Sequence, residues 1–476
     1  MKKHLLFIFL LASTIITKAQ GYHITLQCNY KAGLAYLTYY MGKDILLQDS
    51  AVVSKTGRAI FKSKNKLPGG IYVLVFPGKR LTTDFLLDKD QNINITADTT
   101  KLDKVQITGS PANVLFKEYQ TMVSAKGKLL MAARKAYENA KTKQDSAKHE
   151  ASYKKLSQEL NSYREDIVKN KSTSMMAALL SAMRESPQPT KVPITRQDSI
   201  DNYNYYKAHY WDGITFLDDR IVRTPFFLPK LENYYRQVMP QASDSIIKDL
   251  DYKLLLARSA PEMYKFLLNW YTDEYINPKY MGQDAVFVHL YQKYHSVKAA
   301  PWLNKIQDSV ITRRAFMLMS NLIGEQAANL DMVDTLGRPA SLYEVKADYT
   351  LVVFWDPNCG HCKEEIPRID SIYRATWQRK NVKIYAVLSE TEKQKEQWLS
   401  FLRDKKIGDW VNVYQTNATA EAEAKANRAT YRQLYDVVVT PTMFLLDKEK
   451  RIIAKKLTIE QINDLLEVNI KNVKKK

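Results

Sequence analysis

Only three cysteines occur in the 476 residues, and neither a second cysteine pair nor a histidine pair stands at ligand spacing, so no zinc-finger or other metal site is expected. Beyond the first residues no segment approaches the ~20 consecutive apolar residues that a bilayer-spanning helix needs. No repeat at solenoid spacing is present. The first cysteine, Cys28, does not closely follow the apolar start, which argues against attachment through a lipidated N-terminal cysteine. The length itself exceeds what one hydrophobic core serves, so two to four domains are expected.

What is present begins with an export signal. Lys2 and Lys3 precede an apolar stretch from Leu5 to Ile16, and Thr17-Lys18-Ala19 places small residues around Lys18. Residues 1–19 read as a signal peptide cleaved after Ala19, giving a soluble, periplasmic mature protein. A membrane anchor is the weaker alternative because the run is short. Removing that leader takes away three lysines and no acids, and the formal charge falls from +20 to +17. From Asp331 onward 25 Lys and Arg face 21 Asp and Glu, so most of the excess lies earlier and is diffuse. Solvated helix faces explain it better than nucleic acid, which an exported protein does not meet; an anionic envelope surface stays open.

Three regions with different periodicity follow. In residues 20–109, Ile24, Leu26 and Cys28 alternate with polar neighbours, and further strand candidates run over 34–40, 58–61, 71–76, 83–87, 92–97 and 105–108. An antiparallel β-sandwich is expected, with Cys28 as a buried, inert thiol. At Ser110-Pro111 the period changes, serine capping a helix and proline opening it. Residues 110–325 read as an all-α domain: Leu115, Tyr119 and Met122, then Leu156, Leu160, Tyr163 and Ile167, suit a helical hairpin. A loop at Ser186–Pro193 precedes helices rich in tyrosine and tryptophan, among them Tyr203, Tyr205, Tyr210, Trp211, Tyr234 and Tyr271. Those rings suit ordinary helix packing better than a surface for unfolded clients. Residues 326–476 read as an α/β domain, with strands at 349–355, 382–388, 410–414, 443–447 and 451–455. Helices are expected from Cys359 to about Gln378, near 392–405, near 428–435 and from Thr458, and Lys474–Lys476 as a frayed tail.

The chemistry concentrates in Phe354-Trp355-Asp356-Pro357-Asn358-Cys359-Gly360-His361-Cys362, where a buried strand ends and a helix starts. Only a thiolate attacks a disulfide, and unpaired N–H groups at a helix start, with the positive dipole end, stabilise that anion. Cys359 is therefore the expected nucleophile. Cys362, one turn later on the same face, is the expected resolving thiol. Gly360 and His361 flank the sulfurs, and a partly protonated imidazole favours the thiolate further. A permanent structural disulfide is the competing reading of the pair.

On these residues the last ~150 positions resemble the TlpA/ResA branch of thioredoxin-like proteins, with a Cys-Gly-His-Cys tetrapeptide similar to that of protein disulfide isomerase. Val439-Thr440-Pro441-Thr442 before a buried strand is similar to the family's cis-proline loop. The resemblance implies that Pro441 lies beside the sulfurs and that Thr440, with Trp355, belongs to a substrate groove pairing with extended peptides. It also implies that Glu365, three residues after the second cysteine, relays a proton; a solvated helix glutamate is the alternative. Val353 stands where ordinary thioredoxins carry a buried aspartate, and Asn358 where they carry tryptophan. The order of leader, β-rich, helical and thioredoxin-like regions is similar to multidomain proteins common in Bacteroidota.

The expectation is thus a cofactor-free thiol–disulfide oxidoreductase, reductase or isomerase before oxidase. Its partners would be protein clients with disulfides or thiols and a separate membrane or small-thiol electron donor, the first two domains positioning clients or forming a homodimer. The rival is an envelope binding or scaffold protein using the thioredoxin-like domain as an interaction module. A peroxide-reducing enzyme fits the two-cysteine spacing less well.

Overall fold

The structure is a computed structural model and describes residues 21–389 and 394–473. The expected signal peptide at 1–19, Glu392 and the terminal Lys474–Lys476 lie outside the described residues. The chain forms two compact units, one comprising residues up to Met239 with Lys253–Phe266, the other Pro240–Tyr252 with the chain from Leu267 on.

In the first unit eight strands form two four-stranded sheets: β1 (His23–Cys28), β2 (Leu34–Met41), β3 (Asp44–Val52), β4 (Arg58–Lys62), β5 (Gly70–Val75), β6 (Thr82–Leu87), β7 (Asn92–Ala97) and β8 (Gln106–Thr108). Their orders are β4-β1-β7-β8 and β3-β2-β5-β6. Ile24, Leu26, Leu37, Phe61, Leu74 and Phe85 fill the space between them. The sandwich is not wholly antiparallel, because β1 and β7 run parallel. Strand β3 has no counterpart among the expected strands: Ile45, Leu46 and Leu47 are consecutive and exposed at a sheet edge, so the alternation that marks a half-buried strand is missing. Cys28 is buried as expected, and burial raises its thiol pKa.

Ser110 caps α1 (Pro111–Glu138) by accepting a hydrogen bond from Asn113 N–H, and α1 pairs with α2 (Lys143–Asn170) as the expected hairpin. After α3 (Met175–Met183) the chain runs without helix or strand through Ser186–Pro193, then forms α4 (Arg196–Ala208) and α5 (Phe227–Asn233). Tyr210, Tyr234 and Tyr235 are buried, and Trp211 packs edge-on against Phe216 and Tyr234; Tyr203 and Tyr205 remain exposed. Packing thus accounts for most of the rings.

The division between the units falls within α6 (Ser243–Leu256) and α7 (Pro261–Tyr275). The second unit continues with α8 (Asp284–Leu290) and α9 (Lys305–Met319), then β9 (Asp331–Asp334), β10 (Pro339–Ser341), β11 (Tyr349–Trp355), α10 (Gly360–Ile372) and β12 (Val382–Leu388). Next come α11 (Lys395–Asp404), β13 (Val411–Tyr414), α12 (Asn417–Lys425), α13 (Tyr431–Leu434), β14 (Thr442–Asp447), β15 (Ile452–Lys455) and α14 (Ile459–Val473). The strands make one sheet in the order β10-β9-β13-β12-β11-β14-β15. Central β11 pairs parallel with β12 and antiparallel with β14. Leu351, Val353 and Trp355 join one core while Val352 and Phe354 join the other, which is why this strand reads as an unbroken apolar run. Among the described residues no helix is long and apolar enough to cross a membrane.

Candidate active site

At the carboxyl end of β11 the chain turns through Asp356, Pro357 and Asn358 before entering α10. Asp356 shapes that turn: its side chain accepts the N–H of Asn358 at 2.7 Å, and its carbonyl accepts the N–H of Cys359 at 3.1 Å. Cys359 then occupies the cap position of α10 in extended conformation, so its side chain lies at the helix start. The consequences differ for the two sulfurs. Cys359 is partly exposed, whereas Cys362 is fully buried in the core on one face of the sheet. Partial burial alone would raise the Cys359 pKa, but hydrogen bonds from the Cys362 N–H, the Thr440 side chain, the Cys362 thiol and the His361 N–H outweigh it and hold it below the ordinary thiol value. Burial pushes the Cys362 thiol up to about 12, with the neighbouring Cys359 adding to the shift.

The Thr440–Pro441 peptide bond is cis, and the Thr440 carbonyl lies 3.3 Å from Cys359 Sγ, where it accepts the thiol's hydrogen bond. The loop residue and the nucleophile candidate, 81 positions apart in sequence, are thus in contact. Thr442 steadies the turn by donating its hydroxyl to the Val439 carbonyl at 2.5 Å.

Residues 323–455 match the model of the AhpC/TSA family. Thiol-disulfide oxidoreductase ResA of Bacillus cereus is 24% identical over 151 residues, which is 32% of this chain and 78% of that protein. This is a TlpA/ResA-like domain of the AhpC/TSA family. Solved structures similar to the chain include a domain of a possible thiol-disulfide isomerase from Cytophaga hutchinsonii. It is 38% identical, with 33% of this chain and 97% of that one covered at a TM-score of 0.28. A thioredoxin-like protein from Bacteroides caccae is 20% identical, covering 60% of this chain and 99% of its own at a TM-score of 0.45. Ahead of the AhpC/TSA domain, residues 22–116 and 138–321 match two domains of unknown function, DUF4369 and DUF5106.

Within the AhpC/TSA domain the other candidate residues separate. Gly360 and His361 are both exposed on the first turn of α10, and a Cβ added at Gly360 would meet nothing within 4 Å. Glu365 lies with Pro441 on the wall of a cavity of about 440 Å³. Its carboxylate is engaged by Arg368, which also reaches Glu460, so it takes part in a surface ion pair on the cis-proline side of the site. Trp355 does not line the groove: it is 0% exposed and its ring packs against Phe401. The alternation of β11 sends it into the sheet's core, and it supports the turn from beneath. Sequence reasoning missed Asp356, whose position just ahead of a proline and a helix start was the available signal, and Asp436, whose partner Arg314 lies 122 residues away. Among the described residues no group of three or more His, Cys, Asp or Glu side chains is placed to hold a metal ion.

Proposed function

We propose that the protein is an exported, periplasmic thiol–disulfide oxidoreductase that reduces or isomerises disulfides of envelope proteins. The observation that carries this reading is the inequality of the pair: one partly exposed sulfur with a lowered pKa, one buried sulfur with a raised one. The Cys359 thiolate attacks one sulfur of a client disulfide, forming a mixed disulfide and expelling the client's second sulfur as a thiolate that takes up a proton. With Cys359 now uncharged, its contribution to the raised Cys362 pKa disappears, which favours loss of the Cys362 proton at the moment it is needed. Cys362 then attacks Cys359 Sγ, the Cys359–Cys362 disulfide closes, and the client leaves with both sulfurs reduced. Two electrons have passed to the client; a separate membrane protein or small thiol restores the pair. The stretch Val437–Thr440 before Pro441, which belongs to no helix or strand, offers backbone groups to a client strand, with the Thr440 carbonyl beside the reacting sulfur.

The test is the redox equilibrium of the purified protein against graded reduced and oxidised glutathione, followed by thiol labelling of Cys359 and Cys362. Equilibration between roughly −120 and −270 mV is the expected result, its position separating an oxidising from a reducing role. No equilibration, or a potential below about −300 mV, would mean a sealed structural disulfide and replace this reading with that of an envelope scaffold.

A further inference from the structure

The region matched by DUF5106 ends at residue 321 and the AhpC/TSA match begins at 323, yet within the second unit the two are joined by buried charges. Asp436 is the centre of one junction. Its side chain is 0% exposed and meets two cations, Arg314 of α9 at 2.5 Å and Lys456 just beyond β15. Arg314 is itself fixed from the helical side, because its Nε donates to the Ile276 carbonyl at 3.0 Å. A second junction lies alongside: Lys455 Nζ pairs with Asp284 and donates to the carbonyl and side-chain oxygens of Asn321 at 2.6 and 2.7 Å. Asn321 in turn donates to the Leu434 carbonyl at 3.1 Å. Both junctions therefore grip the segment Leu434–Asp436.

That segment leads directly into the cis-proline loop. Asp436 has a φ of 47°, in the left-handed region where a non-glycine residue is held at a cost, and the exposed Val438 and Val439 follow it up to Thr440. Asp436, Val438, Val439 and Pro441 line the same 440 Å³ cavity as Glu365. A carboxylate buried beside two cations is costly to displace, so it fixes the backbone that carries it. We propose that Arg314, which lies outside the redox domain, is a positioning residue for disulfide exchange. Through Asp436 it holds the 436–440 backbone in the position in which an extended client is laid on it beside Cys359. This gives the C-terminal part of the helical region a definite role in client binding, and it rests on the function proposed above.

Arg314→Met tests it. Lys456 still neutralises Asp436 in this variant, so the fold should survive. Two readouts separate positioning from mere stability in the purified protein. Amide hydrogen exchange at Val437–Thr440 should accelerate at least about 10-fold while β11 and β12 are unchanged. In dithiothreitol-driven insulin reduction, KM should rise at least about 5-fold with kcat changed less than about 2-fold. Arg314→Lys, which keeps a cation at Asp436, should return KM to within about 2-fold of wild type. Unchanged exchange and KM in folded R314M would overturn the inference, as would a fall in kcat that merely follows a lowered melting temperature. Should R314M not fold, R314Q is judged by the same two readouts. Wild-type protein without insulin reduction would instead sink the proposed function, and active wild type with unaltered R314M would sink this inference alone.

Discussion

The β-rich region and the redox domain each hold a cysteine at a strand or strand end, and the two sulfurs have opposite properties. Cys28 ends β1 inside the sandwich, 6% exposed, and burial raises its pKa. Cys359 stands four residues beyond the end of β11, where the chain has turned into a helix start and backbone N–H groups face the sulfur. Both sulfurs lose some water. What separates them is how far hydrogen-bond donors replace it: a backbone N–H at Tyr30 only partly offsets the burial of Cys28, whereas the several donors around Cys359 outweigh its burial, and that depends on backbone placement and not on residue type.

The largest expected effect sharpens this contrast directly. Cys359→Ser should lower insulin reduction by at least about 1,000-fold with the circular dichroism spectrum unchanged, whereas Cys28→Ser should leave the rate within about 2-fold. Comparable loss in both would break the contrast. A second test reads the thiols as acids. In the reduced native protein Cys359 has its pKa lowered, so its alkylation by iodoacetamide should rise with pH earlier than in the unfolded chain. A pKa of about 12 leaves Cys362 with a thiolate fraction of only about one in ten thousand at pH 8. Mass spectrometry of native protein at pH 8 should find label on Cys359 and, after denaturation, on all three cysteines. The smallest effect concerns Cys28 as a packing atom: Cys28→Ala should cost about 1 kcal/mol in urea unfolding, the loss of one buried sulfur and its contacts.

Much of this was legible where chemistry and periodicity coincide. The run from Tyr349 to Trp355 and the following Cys-Gly-His-Cys located the central strand and the helix start, because a strand buried on both faces and a cysteine pair one helical turn apart each leave a local pattern. Elements that are very short or bury little left none. Helix α12 has no buried residue, and Thr416 defines its start by accepting the N–H of Thr419. Strands β9 and β10 are four and three residues long, and their turn depends on the Asp334 side chain accepting the N–H groups of Leu336 and Arg338. The family resemblance puts Trp355 in the groove, but two-residue alternation along β11 decides its direction and sends it inward. Asp436 was illegible for a different reason: its partner Arg314 is 122 residues away, and no local pattern announces a pairing of that span.

The burial of Cys362 bears on how the protein's contacts could be catalogued. With only one sulfur open to the outside, every covalent complex with a client passes through the same atom. In a Cys362→Ser protein that atom has no internal competitor, so captured clients stay attached. The inventory of molecules this protein meets in its own compartment can then be read from a single peptide, the one that carries Cys359.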